Sequence, residues 1–202
     1  DPKLLGWIVA VDFDDLAIAK PMSGQMLTQA DGKLTVEPLQ ATISAKGELN
    51  GVPATISIVE PLKPEGAKRE RDIELVLDDA ARKKVAPGLD DLVTGTVKVK
   101  VDDDEGARKI VADLTDARLD IPWAGWSKGA GVAAKADFTM QSTENGARLS
   151  DFELSGKSFT IAGDVTLAGG QLSAAKFDTV KLNRSDAVKV SIARAGKGYK
   201  VD

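Results

Sequence analysis

Residues 159–169 read Phe159-Thr160-Ile161-Ala162-Gly163-Asp164-Val165-Thr166-Leu167-Ala168-Gly169, and this stretch decides the fold class. Phe159, Ile161, Val165 and Leu167 fall on one face, with Gly163 between them. Asp164 and Thr166 fall on the other. A period of two with one greasy and one wet side is the pattern of an antiparallel sheet. The pattern recurs downstream, where Val188, Val190 and Ile192 alternate with Lys189 and Ser191. It recurs upstream in Val9, Val11 and Phe13; in Ala41, Ile43 and Ala45; in Ala54, Ile56 and Ile58; in Ile73, Leu75 and Leu77; in Val97, Val99 and Val101; in Ile110, Ala112 and Leu114; and in Ala136, Phe138 and Met140.

Turn chemistry agrees with the alternation. Asp31-Gly32, Asn50-Gly51, Asn145-Gly146 and Gly169-Gly170 sit between alternating runs and supply the positive φ angles of tight hairpins. The acidic stretch Asp102 to Gly106 and Gly196-Lys197-Gly198 read as two further tips. The spacing predicts roughly a dozen strands in an up-and-down meander. In two places the phase slips by one residue: Leu149 is followed by Phe152 and Leu154, and Phe177 by Val180 and Leu182. A β-bulge resets phase in this way and bends the strand.

One short helix is expected over about 78–86. Asp78 is its N-cap, Asp79 lies in the first turn, Arg82, Lys83 and Lys84 lie near the end, and Pro87-Gly88 stops it. It is too short to organise the fold, so it should cover or plug one end of the sheet. The stretch Pro61 to Arg71, rich in proline and charge, reads as a solvated loop. No domain boundary is visible, and residues 1–202 read as one segment, a piece of a larger protein.

Composition narrows the chemistry. The 202 residues contain no His and no Cys, which removes disulfides, thiol nucleophiles, histidine acid–base catalysis and zinc sites of the usual kind. The net charge is −4, which disfavours nucleic acid as a partner. No apolar run approaches the length that spans a bilayer as a helix. No metal or other cofactor is expected.

Several motifs lose to plainer readings. Gly125-Trp126-Ser127-Lys128-Gly129 fits G-x-S-x-G, but that elbow needs a following helix and a His to take the serine proton. Strand pattern follows instead, and Lys128 is badly placed to act as base for its own neighbour. Gly129 to Ala134 matches a loose dinucleotide pattern without the βαβ frame. An EF-hand beginning at Asp102 would need Gly at position 107 and Glu at 113, where the chain has Ala107 and Asp113. The chain therefore reads as a non-enzyme. The loop around Trp123 and Trp126, beside Lys128, has two readings: an interfacial, lipid-contacting loop, or indoles that fold back and seal one end of the apolar face.

Several segments together resemble a known family. They are Gly32-Lys33-Leu34-Thr35-Val36, Gly47 to Ala54, Leu77 to Arg82, Leu119-Asp120-Ile121-Pro122-Trp123 running into Gly125 to Gly129, and Leu182-Asn183-Arg184. The chain resembles the AsmA-like envelope proteins, in particular their YhdP-like branch as found in alphaproteobacteria. The resemblance implies a periplasmic stretch of a parent anchored in the inner membrane. It implies a long curved sheet folded into a trough with an apolar inside that binds or conducts phospholipids between the two membranes. Its partners would be phospholipid acyl chains and the rest of the parent chain. The residues placed in such a groove are Phe159, Ile161, Val165, Leu167, Val188, Val190 and Ile192. Small residues on the apolar faces (Ala41, Ala45, Gly47, Ala112, Ala136, Gly163) and an aromatic content of 4% would leave room for chains. A filled β-sandwich serving as a structural or interaction module would show the same alternation.

Overall fold

Alternation becomes strand almost wherever it occurs. The computed structural model describes residues 6–19, 26–66, 68–104, 107–121, 125–169, 171–182, 187–196 and 198–202. The chain divides into two compact units, Asp1–Val76 with Lys100–Glu105, and Leu77–Val99 with Gly106–Asp202. The first holds β1 (Val9–Ala19), β2 (Met26–Val36), β3 (Gln40–Leu49), β4 (Val52–Pro61) and most of β5 (Glu70–Leu77). The second begins with α1 (Asp79–Val85), a 3-10 turn at Pro87–Leu89 and β6 (Val93–Gly95). Strand β7 (Val97–Asp104) contributes residues to both units. The second unit continues with β8 (Ala107–Asp113), β9 (Ala117–Ile121), β10 (Trp126–Lys128), β11 (Ala134–Thr143), β12 (Gly146–Gly156), β13 (Thr160–Ala168), β14 (Gln171–Lys181), β15 (Val188–Ala195) and β16 (Gly198–Val201).

Thirteen strands follow one another in the ladder order β1-β2-β3-β4-β5-β7-β8-β11-β12-β13-β14-β15-β16, and β10-β9-β6 form a separate small sheet. The protein is thus the all-β antiparallel meander that the alternation predicts, open at its edges and with one α-helix among the described residues. Consecutive antiparallel strands need only short loops, which the sequence supplies. At Asn50-Gly51 both residues take positive φ (53° and 72°) and close a two-residue hairpin between β3 and β4. The helix lies where it was expected. Asp78 Oδ1 accepts the Ala81 N–H at 2.7 Å, and the Ala86 N–H closes the last turn on Arg82 O.

Two expectations need correction. Asp31-Gly32 is not a turn but lies inside β2. A Cβ on Gly32 would fall 2.3 Å from Ser44 O and 2.8 Å from the Phe13 ring, so the glycine answers a close approach of neighbouring strands. Asp31 uses its carboxylate to accept the Asp15 N–H at 2.9 Å, at the bulge in β1. The second correction concerns Pro61 to Arg71. Strand β4 includes Pro61 and β5 starts at Glu70, so Glu70 and Arg71 belong to the sheet.

Both phase slips are bulges. In β12 the register jumps between Leu149 and Phe152, with Asp151 at φ 53°. In β14 it jumps between Phe177 and Val180. These bulges lie on the two strands that flank β13, and Gly163 of β13 pairs with both Phe152 and Phe177. A Cβ on Gly163 would sit 2.0 Å from Lys176 O and 2.6 Å from Phe177 Cα. The bulged strands press on the one between them, and only glycine fits there. The first unit has a related contact beside a single bulged strand. Its β2 bulge, with Gln29 at φ 51°, lies against Gly47, where a Cβ would meet Ala30 Cα at 2.9 Å.

Two glycines therefore test this account. Gly163→Ala should destabilise the protein by about 1–3 kcal/mol, as overpacking of a filled site does. Gly198→Ala, in β16 with nothing within 4 Å of the added carbon, should stay within about 0.5 kcal/mol of the parent. Thermal melting followed by circular dichroism checks both, and equal effects would contradict the close-approach explanation.

Candidate functional site

In the second unit the buried apolar residues Leu149, Val165, Ala175 and Ile192 form one line across the sheet. They are consecutive register partners on β12, β13, β14 and β15. Phe138, Met140, Phe152, Leu167, Leu172, Phe177 and Val190 pack around them half-buried. Every member belongs to one face of one sheet. Exposures of 5–9% along the central line are then produced by side chains of the same face crowding over one another. That happens on the inner side of a bent sheet, and the bulges beside Gly163 supply the bend.

Three phenyl rings mark the bend. Phe138 and Phe152 have ring centroids 6.0 Å apart, and Phe152 and Phe177 are 6.1 Å apart. Phe152 and Phe177 stand on strands either side of Gly163, so the missing side chain there leaves the space over which the rings approach. Each such pair is worth about 0.5–1.5 kcal/mol beyond its buried area. Sequence reading did not single out this row. The signal was present in the two phase slips, each of which has a phenylalanine directly beside it.

Six of the seven groove candidates lie on this face. Val165 and Ile192 share the central line, and Leu167 pairs with Leu172. Val190 pairs with Phe177, and Ile161 pairs with Val180, which pairs in turn with Val188. Ile161, Val165 and Ile192 are buried, Leu167 and Val190 are half-buried, and Val188 is 54% exposed. Phe159 is drawn away to the end of the sheet. Its ring meets Trp126 edge to face, with centroids 4.8 Å apart, and is only 4% exposed. Trp126 of β10 packs half-buried on that ring. Trp123 lies outside the described residues.

Two buried cations fasten that end. Lys128 is 4% exposed, and its Nζ donates to Leu114 O at 2.5 Å, Ala117 O at 2.6 Å and Thr115 O at 3.4 Å. Burial pushes its pKa below the ordinary lysine value, against the opposing pull of Asp113 and Asp116. Three main-chain carbonyls of the β8–β9 turn therefore occupy the three ammonium protons. Ser127, one residue earlier on the strand, is exposed on the opposite side. Arg82 of α1 is 3% exposed. It donates to Gly95 O at 2.8 Å and bonds the Asp79 carboxylate, which also accepts the Gly95 N–H at 2.9 Å. The helix is stapled in this way to β6.

On the polar side lies a shallow depression of about 450 Å³, lined by Val111, Asp113, Thr115, Lys135, Ser155 and Lys157 among others. Thr115 bonds Asp113 through its main-chain N–H, 2.9 Å, and through its side chain, holding that carboxyl below the usual range. Lys135 pairs with Asp137 at 2.8 Å. Among the described residues no group of three acidic side chains is arranged to hold a metal ion, and no helix is long and apolar enough to cross a membrane.

Lys128→Met should cost about 1–3 kcal/mol for carbonyls left without a partner, and chemical denaturation measures it. The Asp79 carboxyl is held below its ordinary value, first by the Arg82 side chain and then by the Gly95 N–H. A depressed folded-state pKa gives stability that is present above the unfolded value, about 3.9, and lost as pH falls through the folded one. Asp79→Asn should therefore flatten the dependence of melting temperature on pH in that acid range; an unchanged slope would contradict it. No family model, no curated protein and no solved structure matches the chain.

Proposed function

We propose that the apolar sheet faces bind the acyl chains of lipids, with the chain acting as a periplasmic segment of an AsmA-like, YhdP-like envelope protein that carries phospholipid between the inner and outer membranes. One observation carries the reading. In each unit the apolar cluster draws all its members from one face of sheet strands, and large side chains on it stay half-buried. In the first unit these are Phe13, Leu16, Ile18, Ile58, Leu75 and Val101, packed around Leu27, Ala30, Leu49, Ala54, Ile56 and Ile73. A sandwich core would mix side chains from two facing sheets. A one-sided apolar face leaves area to which an alkyl chain adds about 0.8 kcal/mol per buried methylene.

The competing reading is a structural module filled by its own side chains. It draws on the deep burial of Leu149, Val165, Ala175 and Ile192. Phe177 separates the two, because it is half-buried in mid-sheet with neighbours on both sides. Replacing Phe152 with the photoreactive analogue benzoylphenylalanine should yield a phospholipid adduct in protein purified from bacterial membranes. Phe177→Asp should remove that adduct while leaving a cooperative melt. In a filled module the same charge should cost roughly 3 kcal/mol or more, with no adduct from the probe at position 152. That second pattern would overturn the proposal.

A further inference from the structure

One end of the first unit carries large apolar side chains that its sheet does not use. Val9 pairs with Val36, so Trp7 and Ile8 run on past the last pair of β1 and β2. At the same end residues 37–39 join β2 to β3, and the Glu37 N–H closes that turn on Gln40 O at 2.9 Å. Gln40 pairs with Pro61, so β4 leaves the sheet there too. The turn and the loop after β4 are fastened together. The Leu62 N–H donates to Leu39 O at 2.8 Å, the Gly66 N–H donates to Lys63 O at 2.9 Å, and a Cβ on Gly66 would run into Leu39 O.

The loops are tightly built, yet Trp7, Ile8, Leu39 and Leu62 stay 39–63% exposed. A missing neighbouring strand accounts for the valines of β1. It does not account for Leu39 and Leu62, which stand on loops bonded to each other. Three separate segments thus bring apolar side chains to one end of the strands, beyond the last register pairs. Exposed apolar groups gathered in this way mark a contact surface.

The chemistry of the patch selects its partner. Projecting side chains need a surface that yields to them, and the interface of a bilayer is fluid and needs no matching hollow. Trp7 offers an indole, whose apolar body and N–H suit the headgroup level. Lys63 follows Leu62 directly, is exposed, and pairs with no carboxylate among the described residues. Its stem lies along apolar surface while its ammonium complements a lipid phosphate. Glu37, the acid of the neighbouring turn, is half-buried and accepts from the Gln40 side-chain amide at 3.2 Å.

We propose that this end of the first unit rests on a phospholipid bilayer, with Leu39, Leu62 and Trp7 in the interface and Lys63 among the phosphates. The contact is separate from the acyl-binding faces and does not rest on them.

The chain has no cysteine, so Leu62→Cys gives a single attachment point for an environment-sensitive nitrobenzoxadiazole label. Vesicles of phosphatidylethanolamine and phosphatidylglycerol in equal amounts should shift its emission to the blue. The same label on Thr166→Cys, on the wet face of β13, should not respond. Leu39→Asp combined with Leu62→Asp should lower the fraction of chain that sediments with the vesicles about tenfold, the worth of burying a leucine. Both leucines are exposed, so the melting temperature should stay near that of the parent. No response at position 62, an equal response at position 166, or undiminished sedimentation of the double variant would overturn the proposal. Early melting of that variant would count the same way, since the leucines would then hold the fold. So would a blue shift without vesicles that grows with protein concentration, which would mean that a second copy of the chain covers this end. The label at 62 reads the loops and the probe at position 152 reads the sheet face, so the two proposals fail separately.

Discussion

A sheet with one apolar face and no second layer of its own must bend if that face is to leave water. Period-two alternation puts every large hydrophobic group of a strand on one side. In a flat ladder those groups would stand half in solvent. Here Leu149, Val165, Ala175 and Ile192 reach 5–9% exposure with partners drawn from their own face. The bulges in β12 and β14 make this possible, because each puts an extra residue on the bulged strand and turns it. Gly163 is the consequence, since the strand caught between two bulges has no space for a Cβ. The phenyl row is the next consequence, since rings from both sides reach over the gap.

Closure of the unit's end follows a different physics. Bending cannot satisfy the main-chain groups of the turns around Leu114 and Gly95. Lys128 and Arg82 do so with buried cations that bond carbonyls. Such groups are costly to desolvate, and they are tolerated because their donors meet oxygens. In Lys128 the cost of burial outweighs the two nearby carboxylates, hence the lowered pKa. In Arg82 one nitrogen, Nε, is left without a partner, while the other contacts tie α1 to β6. These cations hold structure: all three Lys128 donors meet carbonyls, Arg82 ties α1 to β6, and both side chains are sealed from water.

Much of this was legible in the sequence. The strands, the helix with its Asp78 cap and the two bulges beside Gly163 follow from period, capping chemistry and phase slip, which are local properties. Asp31-Gly32 misled because the same dipeptide serves a hairpin and a crowded strand, and only the Phe13 and Ser44 neighbours distinguish them. Lys128 could not be read, because alternation places it inward but cannot name the carbonyls it meets across the chain. Arg71 could have been placed in the sheet, being two residues before Ile73 in strict alternation. Its charged neighbours made the stretch resemble a loop. The candidate groove residues were chosen by alternation alone, which fixes the face but not the burial. Phe159 shows the difference, since its phase is right and its partner is Trp126.

Where a ligand could add to such a face is then a question of which exposure has a trivial cause. Val188 is 54% exposed, but it lies on β15 where the described ladder to β16 begins only at Ile192. Its exposure reflects a missing neighbour. Val9 and Val11, at 50% and 49%, lie on the outermost strand β1 for the same reason. Phe152 and Phe177 differ, because both are flanked by paired strands on each side and remain half-buried. Edge effects do not account for them. They stand at the bend, over Gly163, where the strands have given up a side chain. Apolar surface left open in mid-sheet is surface that the fold itself does not fill, and it is there that an added apolar group would bury the most area.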